Sequence, residues 1–315
     1  MKKYTAIYDI ENIEQTVQEA IKLKENPFQF EKLGKHKTLV MLFFNASLRT
    51  RLSTEKAARN LGIEVMILNI SDAWNLEYED GTVMNLNTAE HIIEAAQVIS
   101  QYADIIAVRA FPSLIDKEKD ESEYVLKNFV KYATVPIVNM ESATAHPLQA
   151  LADAITIEEL KTTTKPKVVL SWAPHPKALP QAVANSFVSM MKELEVEFII
   201  THPKGYELNK ELTKNVAINY NQEEALKNAD FVYTKNWSSY DNYGKNLNTD
   251  TNWMITKEKI GKAKFMHCLP VRRNVVVEDA VLDSENSVVI QQANNRTFAA
   301  QIVLKKILEN LNKKE

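Results

Sequence analysis

Thr38-Leu-Val-Met-Leu-Phe-Phe-Asn-Ala-Ser-Leu-Arg-Thr-Arg51 joins a short apolar run to a polar turn and then to a stretch of helical periodicity. The run 38–44 reads as a buried strand and 50–61 as the helix behind it. The rhythm recurs outward from there. Apolar, β-branched runs at 64–69, 104–109 and 135–140 complete the first half, and runs at 167–172, 197–201, 230–234, 264–269 and 287–290 fill the second. Helical stretches at 89–102, 147–160, 180–194 and 296–311 lie between and after them. Strands alternating with helices imply an α/β fold whose parallel sheets are covered on both faces. The polar, proline-ended break Lys161-Thr-Thr-Thr-Lys-Pro166 marks where a second domain begins, with the helix from Pro147 spanning both.

The length agrees with that division, because 315 residues at roughly 150 per domain make two. Hydrophobic residues at 45% and charged residues at 25% are ordinary globular usage, which excludes collagen, coiled coil and a mainly disordered chain. With 38 Lys plus Arg against 41 Asp plus Glu, the net charge is −3. That lacks the basic excess of phosphate-backbone binding, so no nucleic-acid partner is expected. A single cysteine, Cys268, allows no intrachain disulfide and suits a reducing compartment. Asp9, Glu11 and Glu14 interrupt any apolar region of a signal peptide, and no run approaches the roughly 18 apolar residues of a membrane span. A soluble, cytoplasmic protein with no membrane partner is expected.

Open α/β sheets bind ligands beyond the carboxyl ends of their strands. The strand 38–44 runs there into Ser47-Leu-Arg-Thr-Arg51 at a helix start. Free backbone N–H groups, the positive end of the helix dipole and forked guanidinium groups make an anion site, most naturally for phosphate. A capped helix with solvated arginines is the plain alternative. With only 6 glycines and no Gly-rich loop, nucleotide-binding fingerprints are excluded. Arg109 ends a second strand and points to the same crevice, unless it is simply a surface arginine. His146 precedes Pro147, suited to the first helical position, which leaves the imidazole exposed at a helix start or capping it. The dipole there disfavours its protonation, as a hydrogen-bond donor to a carbonyl requires, and Gln149 follows one turn on. Cys268 is more readily a small buried hydrophobe than a nucleophile. His and Cys form no zinc-type ligand pair, so no metal is expected. The loop 237–253 is long for a connection and reads as a lid.

Phe43-Phe-Asn-Ala-Ser-Leu-Arg-Thr-Arg51, Val108-Arg109, His146-Pro-Leu-Gln149, His267-Cys-Leu-Pro270 and Asn294-Asn-Arg296, in this order and spacing, resemble the aspartate/ornithine carbamoyltransferase family along nearly the whole chain. The resemblance implies two domains, each a parallel sheet flanked by helices, linked by interdomain helices. Residues 1–150 would bind carbamoyl phosphate, with the C-terminal helix 296–315 packing back on them, and 151–295 would bind the amine substrate. It also implies a homotrimer with shared active sites, no cofactor, and direct attack of an amine on the carbamoyl carbon. On it, Ser47, Leu48 through its backbone, Arg49, Thr50 and Arg109 would hold the phosphate. His146, Arg109 and Thr50 would be catalytic, polarising the carbonyl. Gln149, Cys268, Leu269 and Arg296 would hold the carbamoyl end, and Trp74 would reach into a neighbouring subunit's site.

The amine side departs from plain ornithine enzymes, which share an Asp-x-x-x-Ser-Met-Gly pattern absent around Tyr243-Gly-Lys245. Trp172-Ala-Pro-His175-Pro-Lys-Ala-Leu-Pro180 and Tyr233-Thr-Lys235-Asn-Trp237 are instead similar to the branch acting on N-acylated ornithine. There Glu141, His175, Lys235 and Arg272 would contact the acylornithine. The acetyl subgroup carries a lysine where this chain has Val276, and a glutamate where it has Ala89. Both absences favour N-succinyl-L-ornithine, although the succinyl subgroup carries proline at the latter position. N-acetyl-L-ornithine is the alternative acceptor, and a non-catalytic small-molecule-binding protein on the same fold is the alternative class.

Overall fold

The computed structural model describes residues 1–70, 74–248 and 250–313. The chain divides into two compact units, Met1–Leu148 with Arg296–Glu315, and Gln149–Asn295.

The first unit carries α1 (Ile13–Glu25), β1 (Thr38–Phe43), α2 (Arg49–Asn60), β2 (Glu64–Asn69), β3 (Leu76–Glu77), β4 (Glu90–His91), α3 (Ile92–Tyr102), β5 (Ile105–Arg109), α4 (Lys117–Glu121), α5 (Tyr124–Tyr132) and β6 (Ile137–Glu141). The main sheet is parallel in the order β2-β1-β5-β6, while β3 and β4 pair separately. Alternation along the strands decides what covers each face. Val40 and Leu42 of β1 and Ile106 and Val108 of β5 join one core with Ile92, Ala95, Ala96 and Ile99 of α3. Those helix positions fall at i, i+3, i+4 and i+7, a single stripe along α3. Each large aliphatic side chain so buried contributes about 1.5–3 kcal/mol. Register places Phe43 beside Arg109, and Arg109 beside Glu141. Three strands thus deliver the turn after β1, a guanidinium and a carboxylate to one end of the sheet.

The second unit carries β7 (Lys167–Trp172), α7 (Ala182–Lys192), β8 (Glu197–Thr201), β9 (Ala217–Asn219), α8 (Gln222–Leu226), β10 (Phe231–Lys235), α9 (Lys257–Ile260), β11 (Lys264–Met266) and α10 (Asp279–Leu282). Its sheet is parallel in the order β11-β10-β7-β8-β9. Val169, Val232 and Phe265 from three strands pack with Ile255, Val277 and Val281. α6 (Pro147–Leu160) and α11 (Val289–Asn312) are each divided between the two units.

The α/β class holds, and several element bounds need correction. Residues 287–290 are not a strand: Ser287 makes one bridge to Phe265 and α11 starts at Val289. The β-branched run Val288-Val289-Ile290 reads as a strand locally, but the backbone N–H of Gln292 already donates to the carbonyl of Val288. Strand 264–269 stops at Met266, because the His267 N–H is taken by the Gln292 side chain and Leu269 has φ +57°. The helix at 89–102 begins only at Ile92, since Glu90 and His91 pair with β3 and the His91 ring accepts the Ile93 N–H. The loop 237–253, whose Thr249 lies outside the described residues, is tied down rather than open. Trp237 is buried and donates to the Tyr206 carbonyl, and the Tyr206 hydroxyl accepts the N–H groups of Leu247 and Asn248. No helix among the described residues is long and apolar enough to cross a membrane.

Candidate active site

In the first unit the Ser47 hydroxyl accepts the Thr50 N–H at 3.3 Å, while Leu48, at the N-cap of α2, offers no side-chain cap. The first-turn N–H groups of a helix have no intrahelical partner, which suits an anion at this end of α2. Arg109 is held from three sides: Nη1 donates to the carbonyls of Asn45 (2.8 Å) and Ala46 (2.9 Å), Nη2 to Glu141 Oε2 (3.1 Å). Its guanidinium also lies 4.2 Å from the Phe111 ring centroid. Burial lowers the Arg109 pKa and the Glu141 carboxylate opposes that shift. The Nε atoms of Arg49 and Arg109 are both buried and have no partner among the described residues. Nearby, Arg296 Nη2 donates to Thr50 Oγ1 at 2.6 Å and lies 3.5 Å from His146 Nε2.

His146 is not exposed at its helix start, as the sequence suggests; it is only 2% exposed. Burial first, then the cations Arg296 and Arg109, hold its pKa well below the ordinary value, so the ring is neutral at neutral pH. The loop that leads into it is held by a carboxylate that motif reading does not reach. Glu123, at a left-handed φ of +55° before α5, accepts the Ser142 hydroxyl (2.8 Å), the N–H groups of Ala143 (3.2 Å) and Thr144 (2.8 Å), and the Thr144 hydroxyl. It thereby fixes the loop between Glu141 and His146.

The second unit assembles a different set. His175 Nε2 accepts from Arg272 Nε at 3.1 Å, while its Nδ1 lies 2.9 Å from the Lys177 carbonyl and 3.1 Å from the Lys177 N–H. Burial and the neighbouring cations Lys235, Arg272 and Lys177 lower its pKa, consistent with a neutral ring. Lys235, at the end of β10, is buried and donates to the Asn236 carbonyl at 3.0 Å. Asn246 donates to the His175 carbonyl at 2.6 Å, so the loop after Trp237 supports this histidine. Cys268 is buried against Tyr233 and precedes Leu269 in the turn after β11. Gln149 is buried, its Nε2 donating to Asp153 at 2.8 Å.

The structure thus groups Thr50, Arg109, Glu141, His146 and Arg296 in the first unit, and His175, Lys235 and Arg272 in the second. Glu141, read from sequence with the acylornithine set, bonds to Arg109 in the first. Trp74 packs half-buried against the first unit's core. Among the described residues no group of three or more His, Cys, Asp or Glu is arranged to hold a metal.

A family model described as the carbamoyl-P binding domain of aspartate/ornithine carbamoyltransferase matches residues 4–159, and one described as its Asp/Orn binding domain matches 180–307. The chain belongs to the aspartate/ornithine carbamoyltransferase family. Among carbamoyltransferases it is 49% identical to N-succinylornithine carbamoyltransferase of Bacteroides fragilis, over 99% of this chain and 100% of that one. It is 37% identical to N-acetylornithine carbamoyltransferase of Xanthomonas campestris pv. campestris, over 88% and 90%. A crystal structure of N-acetyl-L-ornithine transcarbamylase, with one glutamate replaced by alanine and complexed with carbamyl phosphate and N-succinyl-L-norvaline, has a TM-score of 0.90 and 32% identity. It covers 98% of this chain and 100% of that chain.

Proposed function

We propose that this carbamoyltransferase moves the carbamoyl group of carbamoyl phosphate to the δ-amine of N-succinyl-L-ornithine, giving N-succinyl-L-citrulline and phosphate, in cytoplasmic arginine biosynthesis. The observation that carries the donor half is the pair of buried Nε–H groups of Arg49, in the first turn of α2, and Arg109, at the end of β5, neither with a partner among the described residues. Buried donors without acceptors are costly, and a phosphate dianion satisfies both. Ser47, the Leu48 backbone, Thr50 and the Arg109 clamp complete that cradle, in the 1–150 domain. His146, neutral and able to donate, acts with Arg109 and Thr50 on the carbonyl oxygen, where charge develops in the tetrahedral transition state. The amine lone pair forms the new C–N bond, the C–O bond to phosphate breaks, and the departing phosphate takes the amine's proton. Gln149, Cys268, Leu269 and Arg296 hold the carbamoyl end; Cys268 positions it without covalent attack.

For the acceptor, Glu141, His175, Lys235 and Arg272 make the acylornithine set, the last three in the 151–295 domain. The cations Lys235 and Arg272 beside His175 offer more positive charge than one α-carboxylate needs. Alanine replaces a glutamate in a transcarbamylase solved with N-succinyl-L-norvaline, and this chain carries Ala89 where the resemblance puts the acetyl enzymes' glutamate. We read the assembly as a homotrimer to which Trp74 of a neighbouring copy contributes. The edge strand β2 supports this with Met66, 52% exposed, as do Leu48 and Leu52 of the adjoining turn and helix, 67% and 58% exposed. Incubating the purified protein with carbamoyl phosphate and N-succinyl-L-ornithine tests the reaction. Ureido product and phosphate should appear in equal amounts; phosphate without product, or neither, refutes it.

A further inference from the structure

α6 carries a carboxylate that no motif singles out. Asp153 is wholly buried, one turn after Gln149. Its Oδ1 receives Gln149 Nε2 at 2.8 Å and Gln292 Nε2 at 2.7 Å. Which end of an amide points where is ordinarily ambiguous, but here the backbone decides it. The His267 N–H can only donate, and it lies 2.9 Å from Gln292 Oε1. That end of Gln292 is therefore the oxygen, and its NH2 must face Asp153. Asp153 Oδ1 is thereby an acceptor, and the Gln149 group on the same oxygen must be the other NH2. The Gln149 Oε1 is then turned away from Asp153, buried and without a partner among the described residues.

We propose that Asp153 sets the polarity of the Gln149 amide, so that Gln149 Oε1 stands as an acceptor for the NH2 of carbamoyl phosphate and selects it over other acyl phosphates. The inference rests on the reading of Gln149 as a carbamoyl contact and adds the group that orients it. Through Gln292, the same carboxylate holds the backbone of His267, immediately before Cys268 and Leu269. Asp153 is a positioning residue: its effect passes through Gln149 to a donor that acetyl phosphate, with methyl in place of NH2, lacks. A polar site that loses its substrate donor is left with an unpaired buried oxygen, which makes such discrimination strong.

Calorimetric titration of the full chain with carbamoyl phosphate, acetyl phosphate and inorganic phosphate tests this. The wild type should bind carbamoyl phosphate at least about tenfold tighter than acetyl phosphate. Asp153→Asn, whose amide donates as well as accepts, frees Gln149 to turn. It should lose most of that ratio while inorganic phosphate binds as before. An unchanged ratio overturns the proposal, and so does a proportional weakening of all three ligands, the mark of a merely structural role. If Asp153→Asn does not fold, Gln149→Met keeps the side-chain length without the amide and must lose the same ratio; retention overturns the proposal. No acylornithine enters these titrations, so an error in the acceptor assignment would show as absent product with the ratio intact. A wild type that forms product yet binds both acyl phosphates equally refutes the role of Asp153 alone.

Discussion

Arg49 and Arg109 lie close enough for their charges to interact, yet they are held differently. Arg109 spends both Nη groups on the protein, whereas Arg49 enters the first turn of α2 with its buried Nε open. Arg49→Ala therefore removes a charge-assisted contact to the ligand without breaking a protein bond of that Nε. Such contacts are worth about 1.5–3 kcal/mol, so carbamoyl-phosphate affinity should fall roughly 10- to 100-fold in calorimetry while the unfolding midpoint stays put. Near-normal affinity would remove Arg49 from the cradle. His146 makes a pH prediction of definite sign. Its folded pKa lies well below the ordinary 6.5, so the unfolded chain binds the proton more readily. The stabilisation is present above that ordinary value and is lost as pH falls from there through the folded pKa. Denaturant unfolding should show stability declining below about pH 6.5, less so in His146→Gln. An imidazole that NMR shows protonating at its ordinary value would contradict the burial account.

At the scale of elements, the loop between β6 and α6 owes its shape to Glu123. The carboxylate takes four donors from residues 142–144. Glu123→Gln sets an amide nitrogen against one of them. The expected cost is about 1–3 kcal/mol of stability, with faster hydrogen exchange at Ala143 and Thr144 and a fall in kcat through His146. Unchanged exchange at those two amides would show the clamp unnecessary. Legibility in sequence divides along the same line. The strand-to-helix turn at Ser47-Leu-Arg-Thr-Arg51 is readable because the stretch is contiguous and sits where β1 gives way to α2. Glu123 and Gln292 were not, because each acts on a segment distant in sequence, and a glutamate or glutamine by itself carries no signal. Residues 287–290 misled for a related reason. Three apolar residues in a row fit a strand or a helix entrance equally, and only the ladder to Gln292 decides.

For the whole molecule, the parallel α/β architecture was legible because a strand buried on both faces, such as β1, leaves a nearly unbroken apolar run. Marginal elements such as β9, three mostly exposed residues, leave no such trace. The homotrimer reading is checked by light scattering. A trimeric mass is expected, with Met66→Lys at the exposed edge strand lowering the association state; a monomeric wild type would contradict it. The acceptor is the claim on which the functional account turns, because succinyl adds a carboxylate that acetyl lacks. Discrimination then rests on a charged contact and on avoided repulsion rather than on pocket size, so the preference should be large. Kinetics with saturating carbamoyl phosphate and N-succinyl-L-ornithine, N-acetyl-L-ornithine or L-ornithine in parallel measure it directly, with Ala89→Glu alongside. The highest kcat/KM is expected for N-succinyl-L-ornithine, with a shift toward N-acetyl-L-ornithine in Ala89→Glu; a wild type with the higher kcat/KM on N-acetyl-L-ornithine would overturn the succinyl assignment.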